Sequence, residues 1–352
     1  MRVFVLEYVT GGGCAGAPLP AALAREGTLM REALVRDLLA LGEVEVLVAL
    51  DARLPCPREH PRLHILRVAA DETPWLQWAR AVEEADIFWW PVAPETGGVL
   101  ERLARLGTAR GTRLALSEPD TLACTASKRA TLAALARAAI PHVPAFPCRP
   151  PYPSSPAGYV VKPDDGAGAE GVRFIAEKEA LPADEGLILQ PYVRGEPFSL
   201  SLLVRSREVR LLSCNAQDTR LAAGEFHYCG WTVGGAEHHR AAALPLATAI
   251  ARCFPGLFGY VGVDLIAAEG REPLVLEINP RLTTPYAVLS RALGVNVAGL
   301  VLDALAGRPW PAFFPPPLPT SLFLDDFSLD ERNGEETSPS LARSGLGEGG
   351  KG

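Results

Sequence analysis

No apolar stretch in the 352-residue sequence approaches the roughly 20 residues needed to cross a bilayer, so no membrane partner is expected. Residues 1–7 run straight into a strand-like segment, without the basic region, apolar region and small-residue cleavage site of a secretory signal. Basic charge is scarce too. Against 41 Asp and Glu there are 34 Lys and Arg, a net charge of −7, which argues against nucleic-acid partners, because phosphate-driven binding needs a basic face. The seven cysteines are an odd number and form no CxxC pair, so scattered free thiols in a reducing cytoplasm are expected. No Ser–His–Asp or Cys–His constellation is evident. His238 and His239 lie in a polar stretch with no acidic or Cys residue at metal spacing on a recognisable helix, and read as a surface pair.

What the chain does contain is glycine punctuation between short apolar runs. Over about 115 residues strands alternate with helices: strands at 3–9, 44–50, 87–92 and 113–116, helices at 75–84 and 95–106. A further helix is expected from Thr28 as N-cap, with Met30, Leu34, Leu38 and Leu41 as its buried stripe and Gly42 as its stop. Such alternation predicts a small open parallel α/β lobe. Gly11, Gly13 and Gly16 fit GxGxxG, but Pro18 and Pro20 make a continuous helix after them improbable. A flexible loop over a ligand is expected there rather than a dinucleotide turn.

Beyond residue 117 the pattern changes. A helix is expected over 125–139, with Lys128 and Arg129 in a first turn where cations oppose the helix dipole unless an anion binds. After a proline-rich stretch at 147–158, a strand ends at Lys162, and a second strand follows at 172–175. Between them stand Gly166, Gly168 and Gly171. Strand, glycine loop, strand describes a flap whose backbone N–H groups can close over phosphates, with Lys162 at its base. Residues 187–196 form an apolar strand and turn, and 198–204 with 209–212 a hairpin. Asn215, Gln217, Asp218 and residues 226–235 read as a loop over the site, and 244–253, 286–293 and 297–306 as helices.

The chemistry concentrates at 262–266 and 274–281. Two period-two apolar runs predict an antiparallel hairpin. Alternation puts Glu277 and Asn279 on one face and Leu276 and Ile278 in a core, with Asp264 facing the same way if the register allows. Two close carboxylates need a compensating cation, and an all-oxygen set favours Mg²⁺ or Mn²⁺.

Asp in one strand followed by Glu-Ile-Asn-Pro-Arg at the end of the next resembles the metal-binding end of the ATP-grasp carboxylate–amine ligases. The resemblance implies a mixed α/β and α+β architecture: an ATP-grasp fold behind an N-terminal open parallel α/β lobe. Its parts would be 1–116 (N-terminal lobe), 117–193 (central lobe with the flap), 194–325 (C-terminal lobe with the metal hairpin) and 326–352, a disordered tail rich in Asp, Glu, Ser and Gly. It implies ATP as cofactor, with Lys128, Lys162, Gly166, Gly168 and Gly171 at the phosphates. Gln190, Tyr192 and Val193 would stand beside the adenine, Glu196 at the ribose, and Asp264, Glu277 and Asn279 on Mg²⁺ or Mn²⁺. Many relatives carry an arginine two residues before the strand aspartate, where this chain has Gly262. Arg281, as a catalytic residue with Lys162, would then stabilise the oxyanion or bind the carboxylate.

Residues 4–13, 26–30, 93–96, 213–217 and 277–286 are most similar to the tyramine–glutamate ligases of methanofuran biosynthesis and their bacterial relatives. That implies an amide bond between glutamate and tyramine or tyrosine, with small-molecule partners (an amino acid and an amine) and room for a homodimer. Two alternatives stay open: a ligase for another amino acid and amine pair, and a non-catalytic nucleotide-binding regulator.

Overall fold

Two sheets organise the residues described by the computed structural model, which are 1–69, 73–83, 87–166, 171–177 and 179–324. The first is wholly parallel: β1 (Arg2–Glu7), β2 (Glu45–Asp51), β3 (Leu63–Val68), β4 (Ile87–Val92) and β5 (Arg113–Leu114), in the order β3-β2-β1-β4-β5. Its inner strands are nearly continuous apolar runs because helices cover both faces. Val3 and Val5 face helix α1 (Ala21–Leu39), while Phe4 and Leu6 face α2 (Pro74–Ala81) and α3 (Val99–Ala109).

Three expectations for this lobe are corrected. An additional edge strand, β3, interleaves His64 and Arg67 with apolar residues on a half-exposed surface, which hides its pattern. Helix α1 begins at Ala21, directly after Pro20, rather than at Thr28, and the Thr28 hydroxyl donates to the Ala24 carbonyl inside the helix. Met30, Leu34 and Leu38 are its buried stripe, and Gly42 ends it in the left-handed region. The glycine run after β1 is a packed turn, Val9–Gly13, tied down by the Glu7 carboxylate, which accepts from the backbone N–H groups of Val9 (3.3 Å) and Thr10 (2.7 Å). Gly12 sits at φ +98°, and a Cβ there would lie 2.5 Å from Val68, so only glycine fits.

The second sheet is antiparallel throughout. It comprises β6 (Phe146–Pro147), β7 (Tyr159–Pro163), β8 (Arg173–Ile175), β9 (Leu187–Pro191), β10 (Glu196–Arg205), β11 (Glu208–Ala222), β12 (Glu225–Val233), β13 (Gly259–Ala267), β14 (Leu274–Asn279) and β15 (Thr320–Phe323). The order is β14-β13-β10-β11-β12-β8-β7-β9-β6, with β15 added to β12. Among the described residues one ladder pair, Glu225 with Arg173, joins the halves, leaving a cleft between them. Residues 215–218 and 226–235, expected as a loop, belong mainly to β11 and β12.

Helices α5 (Lys128–Arg137) and α6 (Arg240–Cys253) pack behind β10 on Phe198, Leu200 and Leu202. Ser127 separates α5 from α4 (Pro119–Ala126), so the helix expected over 125–139 is two; its hydroxyl caps α5 by accepting from Ala130 N–H. Helices α7 (Tyr286–Leu293) and α8 (Val297–Leu305) share a core with α1, which fuses the two sheets into one body. Among the described residues no single helix is long and apolar enough to cross a membrane; α7 and α8 reach that length and composition only as a pair, bent by 97°. The tail expected over 326–352 lies outside the described residues.

Candidate active site

The register of the β13–β14 hairpin sets Asp264 directly opposite Glu277. A bulge between Asp264 and Leu265 breaks the strict alternation expected for β14. Val275 and Ile278 enter the core, while Leu276 turns outward beside Glu277 and lines the cleft; the expected core place of Leu276 is thereby corrected. Asn279 Nδ2 donates to Asp264 Oδ2 (2.9 Å) and to Glu277 Oε1 (3.3 Å), and Gln217 Nε2 donates to Asp264 Oδ1 (2.7 Å). The amide of Asn279 must turn to present its oxygen to a cation.

Two lysines converge on this pair from the other lobe. Lys128 Nζ lies 3.5 Å from Glu277 Oε2 and donates to the Gly166 carbonyl of the glycine loop. Lys162, at the end of β7, is buried beside it. Burial drives the Lys162 ammonium down to about 8, against the pull of Glu277 and with the push of Lys128. Burial, reinforced by the charge of Glu277, pushes Asp264 well up from the usual carboxylate range. Burial acts on Glu277 in the same upward direction, but Lys128 and Lys162, with the hydrogen bonds from Asn279 and Asp264, outweigh it and hold Glu277 down. The site thus sets two lysines against a close carboxyl pair, in which Glu277 gives up its proton more readily than Asp264.

The cluster closes one end of a cavity of about 250 Å³. Val143, Val160, Val172, Ile266 and Leu276 form its apolar walls, and Gln190, Tyr192 and Val193 its far edge. The Gln190 side chain donates to the Val143 carbonyl (2.9 Å), and the Tyr192 N–H to that of Gly158 (2.9 Å), which holds this edge rigidly. Gly166 lines the cavity and Gly171 begins the return of the flap at φ +73°; Gly168 lies outside the described residues.

Two assignments are altered. Glu196 directs its carboxylate to His238 and His239 (3.2 and 3.1 Å), while its neighbours Gly195 and Pro197 line the cavity, so the ribose role expected for Glu196 is not supported. The histidines accordingly have the acidic partner that their local sequence does not reveal. Arg281 is engaged by Glu95, Nε standing 2.9 and 3.0 Å from its two oxygens and Nη2 2.9 Å from one. Gly262 faces Thr283, whose methyl would lie 2.5 Å from a Cβ, which rules out a larger residue at the position where many relatives carry arginine.

One acid joins the site through tertiary structure alone, and the aromatics of the 226–235 stretch reach it from a strand. Asp164 accepts from Arg129 N–H (2.8 Å) and the Ser127 hydroxyl (2.8 Å), and is the anion that the α5 N-terminus requires. Tyr228 and Phe226 line the cavity from β12. Burial, then the charges of Asp264, Glu277 and Glu26, holds the Tyr228 hydroxyl firmly protonated. Trp231 stacks on Tyr228 at 5.7 Å.

Comparison with known proteins agrees with this geometry. A model of the ATP-grasp domain matches residues 125–285, and one of the pre ATP-grasp 3 domain matches residues 44–121. The tyramine–L-glutamate ligase of Methanocaldococcus fervens is 34% identical over 134 residues, which is 38% of this chain and 40% of the relative, so the likeness spans well under half of that protein. An ATP-grasp superfamily protein of Archaeoglobus fulgidus superposes with a TM-score of 0.68 at 24% identity, covering 88% of both chains. An L-amino acid ligase from Bacillus licheniformis superposes at 0.61 with 16% identity, over 86% of this chain and 74% of that one. A cleft between antiparallel half-sheets, paired lysines opposite paired carboxyls, and the two consecutive family matches lead to one conclusion: the chain has the ATP-grasp fold, with an ATP-grasp domain at residues 125–285 behind a pre ATP-grasp domain at 44–121.

Proposed function

We propose that the protein is an ATP-dependent carboxylate–amine ligase releasing ADP. The observation that carries this reading is the convergence of Lys128, Lys162, Asp264 and Glu277 in one cavity that also has apolar walls. The apolar wall residues suit a purine, and the paired lysines suit a polyphosphate. Asp264, Glu277 and Asn279 would hold Mg²⁺ or Mn²⁺, since the donors are all oxygen and the carboxyl pair loses its mutual repulsion against a cation. When bound, the ion supplies charge neutralisation between phosphate oxygens.

Lys128 and Lys162 bind and orient the phosphates, and Lys128 ties them to the glycine loop through Gly166. An oxygen of the substrate carboxylate attacks the γ-phosphorus, the β–γ bridging bond breaks, and ADP leaves. The amine nitrogen then attacks the acyl phosphate carbon, phosphate departs, and the nitrogen loses a proton. Neither step needs a protein nucleophile; positioning and electrostatics supply the catalysis. Retention of Asp264, Glu277 and Asn279 together disfavours a regulator that only binds nucleotide.

For the substrates, the likeness to tyramine–L-glutamate ligases supports glutamate as the acid and tyramine or tyrosine as the amine, in biosynthesis of a methanofuran-type cofactor. Phe226 and Tyr228, facing the cavity, support an aromatic acceptor. The free cysteines suit a cytoplasmic location. A screen of ADP release across amino-acid and amine pairs tests the reading, with glutamate plus tyramine or tyrosine expected to turn over. Production of AMP and pyrophosphate would refute the acyl-phosphate route, and a preference for another pair would refute the substrates alone.

A further inference from the structure

A second group of ligating side chains stands apart from the nucleotide cavity: Glu196, His238 and His239. Glu196 opens β10 opposite Ala267, and both histidines belong to the turn Glu237–His239 that leads into α6. The two Nε2 atoms approach the same oxygen of Glu196, at 3.2 and 3.1 Å, and the three ligand atoms all lie within 4.8 Å of one another. The imidazole rings are 4.0 Å apart, and His239 is fixed by stacking on Phe198 at 4.6 Å. Phe198 is fully buried, so this ring position is set by the core rather than by the surface.

Three features suit a bound metal ion. Tetrahedral sites with metal–ligand bonds of about 2.0–2.2 Å separate their donors by about 3.4 Å, and both nitrogen–oxygen separations here are within a few tenths of that. Two imidazoles with one carboxylate are the donors of Zn²⁺-class ions and not of Mg²⁺. Side-chain exposures of 46% for Glu196 and 58% for His238 leave room for water as a fourth ligand.

The cluster is also separate from the site of nucleotide chemistry. Ser199 pairs with Asp264, and Glu196 stands three residues from Ser199, so alternation turns its side chain to the opposite face of the sheet, the face of Phe198 and α6. Next to it in sequence, Gly195 lines the cavity, packed so closely that a Cβ would lie 2.3 Å from the Ala267 carbonyl. A cation on the rear face would thus clamp the start of β10 to the turn before α6, immediately behind the rim of the nucleotide cavity.

We propose that Glu196, His238 and His239 form a binding site for one divalent transition-metal ion of the Zn²⁺ class, distinct from the Asp264–Glu277 pair. The test is titration of the EDTA-stripped full chain with Co²⁺ and with Zn²⁺ in excess Mg²⁺. One ion per chain is expected, with visible Co²⁺ bands of tetrahedral nitrogen and oxygen ligation and a rise in unfolding temperature. Glu196→Gln and His238→Gln should each weaken binding beyond the ~10–100-fold typical of losing a group that merely hydrogen-bonds to a metal ligand. Both positions are partly exposed, and the metal-free urea midpoint of each variant verifies folding. A stoichiometry near zero would overturn the proposal, as would unchanged affinity in both variants. A thiolate-to-cobalt charge-transfer band would do the same, by assigning the ion to the free cysteines.

Discussion

Arg281 and Glu95 form a two-pronged ion pair across the seam between the two sheets, with three N···O distances of 2.9–3.0 Å and both side chains nearly buried. Glu95 precedes α3 in the parallel lobe, and Arg281 follows the β13–β14 hairpin. The pair therefore locks the hairpin to the first lobe, and Arg281 Nη1 adds a bond to the Leu282 carbonyl (3.2 Å). Arg281→Ala should destabilise the fold by about 3–5 kcal/mol, because Glu95 is left charged and buried. Arg281→Lys keeps the charge and loses the fork, so turnover should fall much more than the urea midpoint. Equal losses in both would make the pair purely structural and remove Arg281 from any role at the substrate.

Stability of the ligand-free protein should pass through a site-dependent minimum near neutral pH. Asp264 titrates near 7 in the folded state against 3.8 unfolded. The folded state thus holds the extra proton, and stability declines as pH rises from about 4 through 7. Lys162 titrates near 8 against 10.5, so its penalty is complete below 8 and lifts only as pH rises from there towards 10.5. Denaturation midpoints across pH 4–10 should show the falling limb, and Asp264→Asn should flatten it. An identical limb in wild type and variant would show that Asp264 is not the titrating group. Mg²⁺ with ADP should stabilise most between pH 7 and 8, where both penalties coincide.

Glu277→Gln should abolish most activity and also cost stability. Glu277 is the counter-ion of two buried lysines, so neutralising it leaves Lys128 and Lys162 to repel each other. Activity should fall by at least ~100-fold, the upper end for disturbance around a metal site, and the unfolding midpoint should drop. Unimpaired turnover at ordinary Mg²⁺ would exclude Glu277 from the site.

Acceptor preference should depend on Tyr228 directly and on Trp231 through it. Tyr228 faces the cavity, whereas Trp231 is stacked behind it on β12. One well-placed aromatic pair contributes about 0.5–1.5 kcal/mol. Tyr228→Ala should therefore reduce kcat/KM for tyramine or tyrosine by roughly 2–13-fold relative to an aliphatic amine. An aliphatic amine that matches tyramine in the wild type would exclude the aromatic acceptor and leave the ligase reading intact.

By itself the sequence determined what depends on local spacing. Period-two runs produced the β13–β14 hairpin, the alternation of strand and helix produced the parallel lobe, and the paired strands on either side of the glycines place Lys162 at the end of β7. The start of α1 was hidden because Pro18 and Pro20 read as breakers although Pro20 serves as the entry, and β3 because an edge strand needs no clean alternation. Tertiary structure alone decided which charges meet. The bulge that moves Leu276 into the cavity wall depends on pairing with β13, and Glu95 reaches Arg281 across 186 positions. Glu196 looked like a ribose ligand from its neighbours, yet the parity of β10 sends it to the histidines on the rear face. Local spacing fixes which way a side chain points along its own strand; burial, counter-charges and protonation depend on partners that only the closed fold brings within a few ångströms.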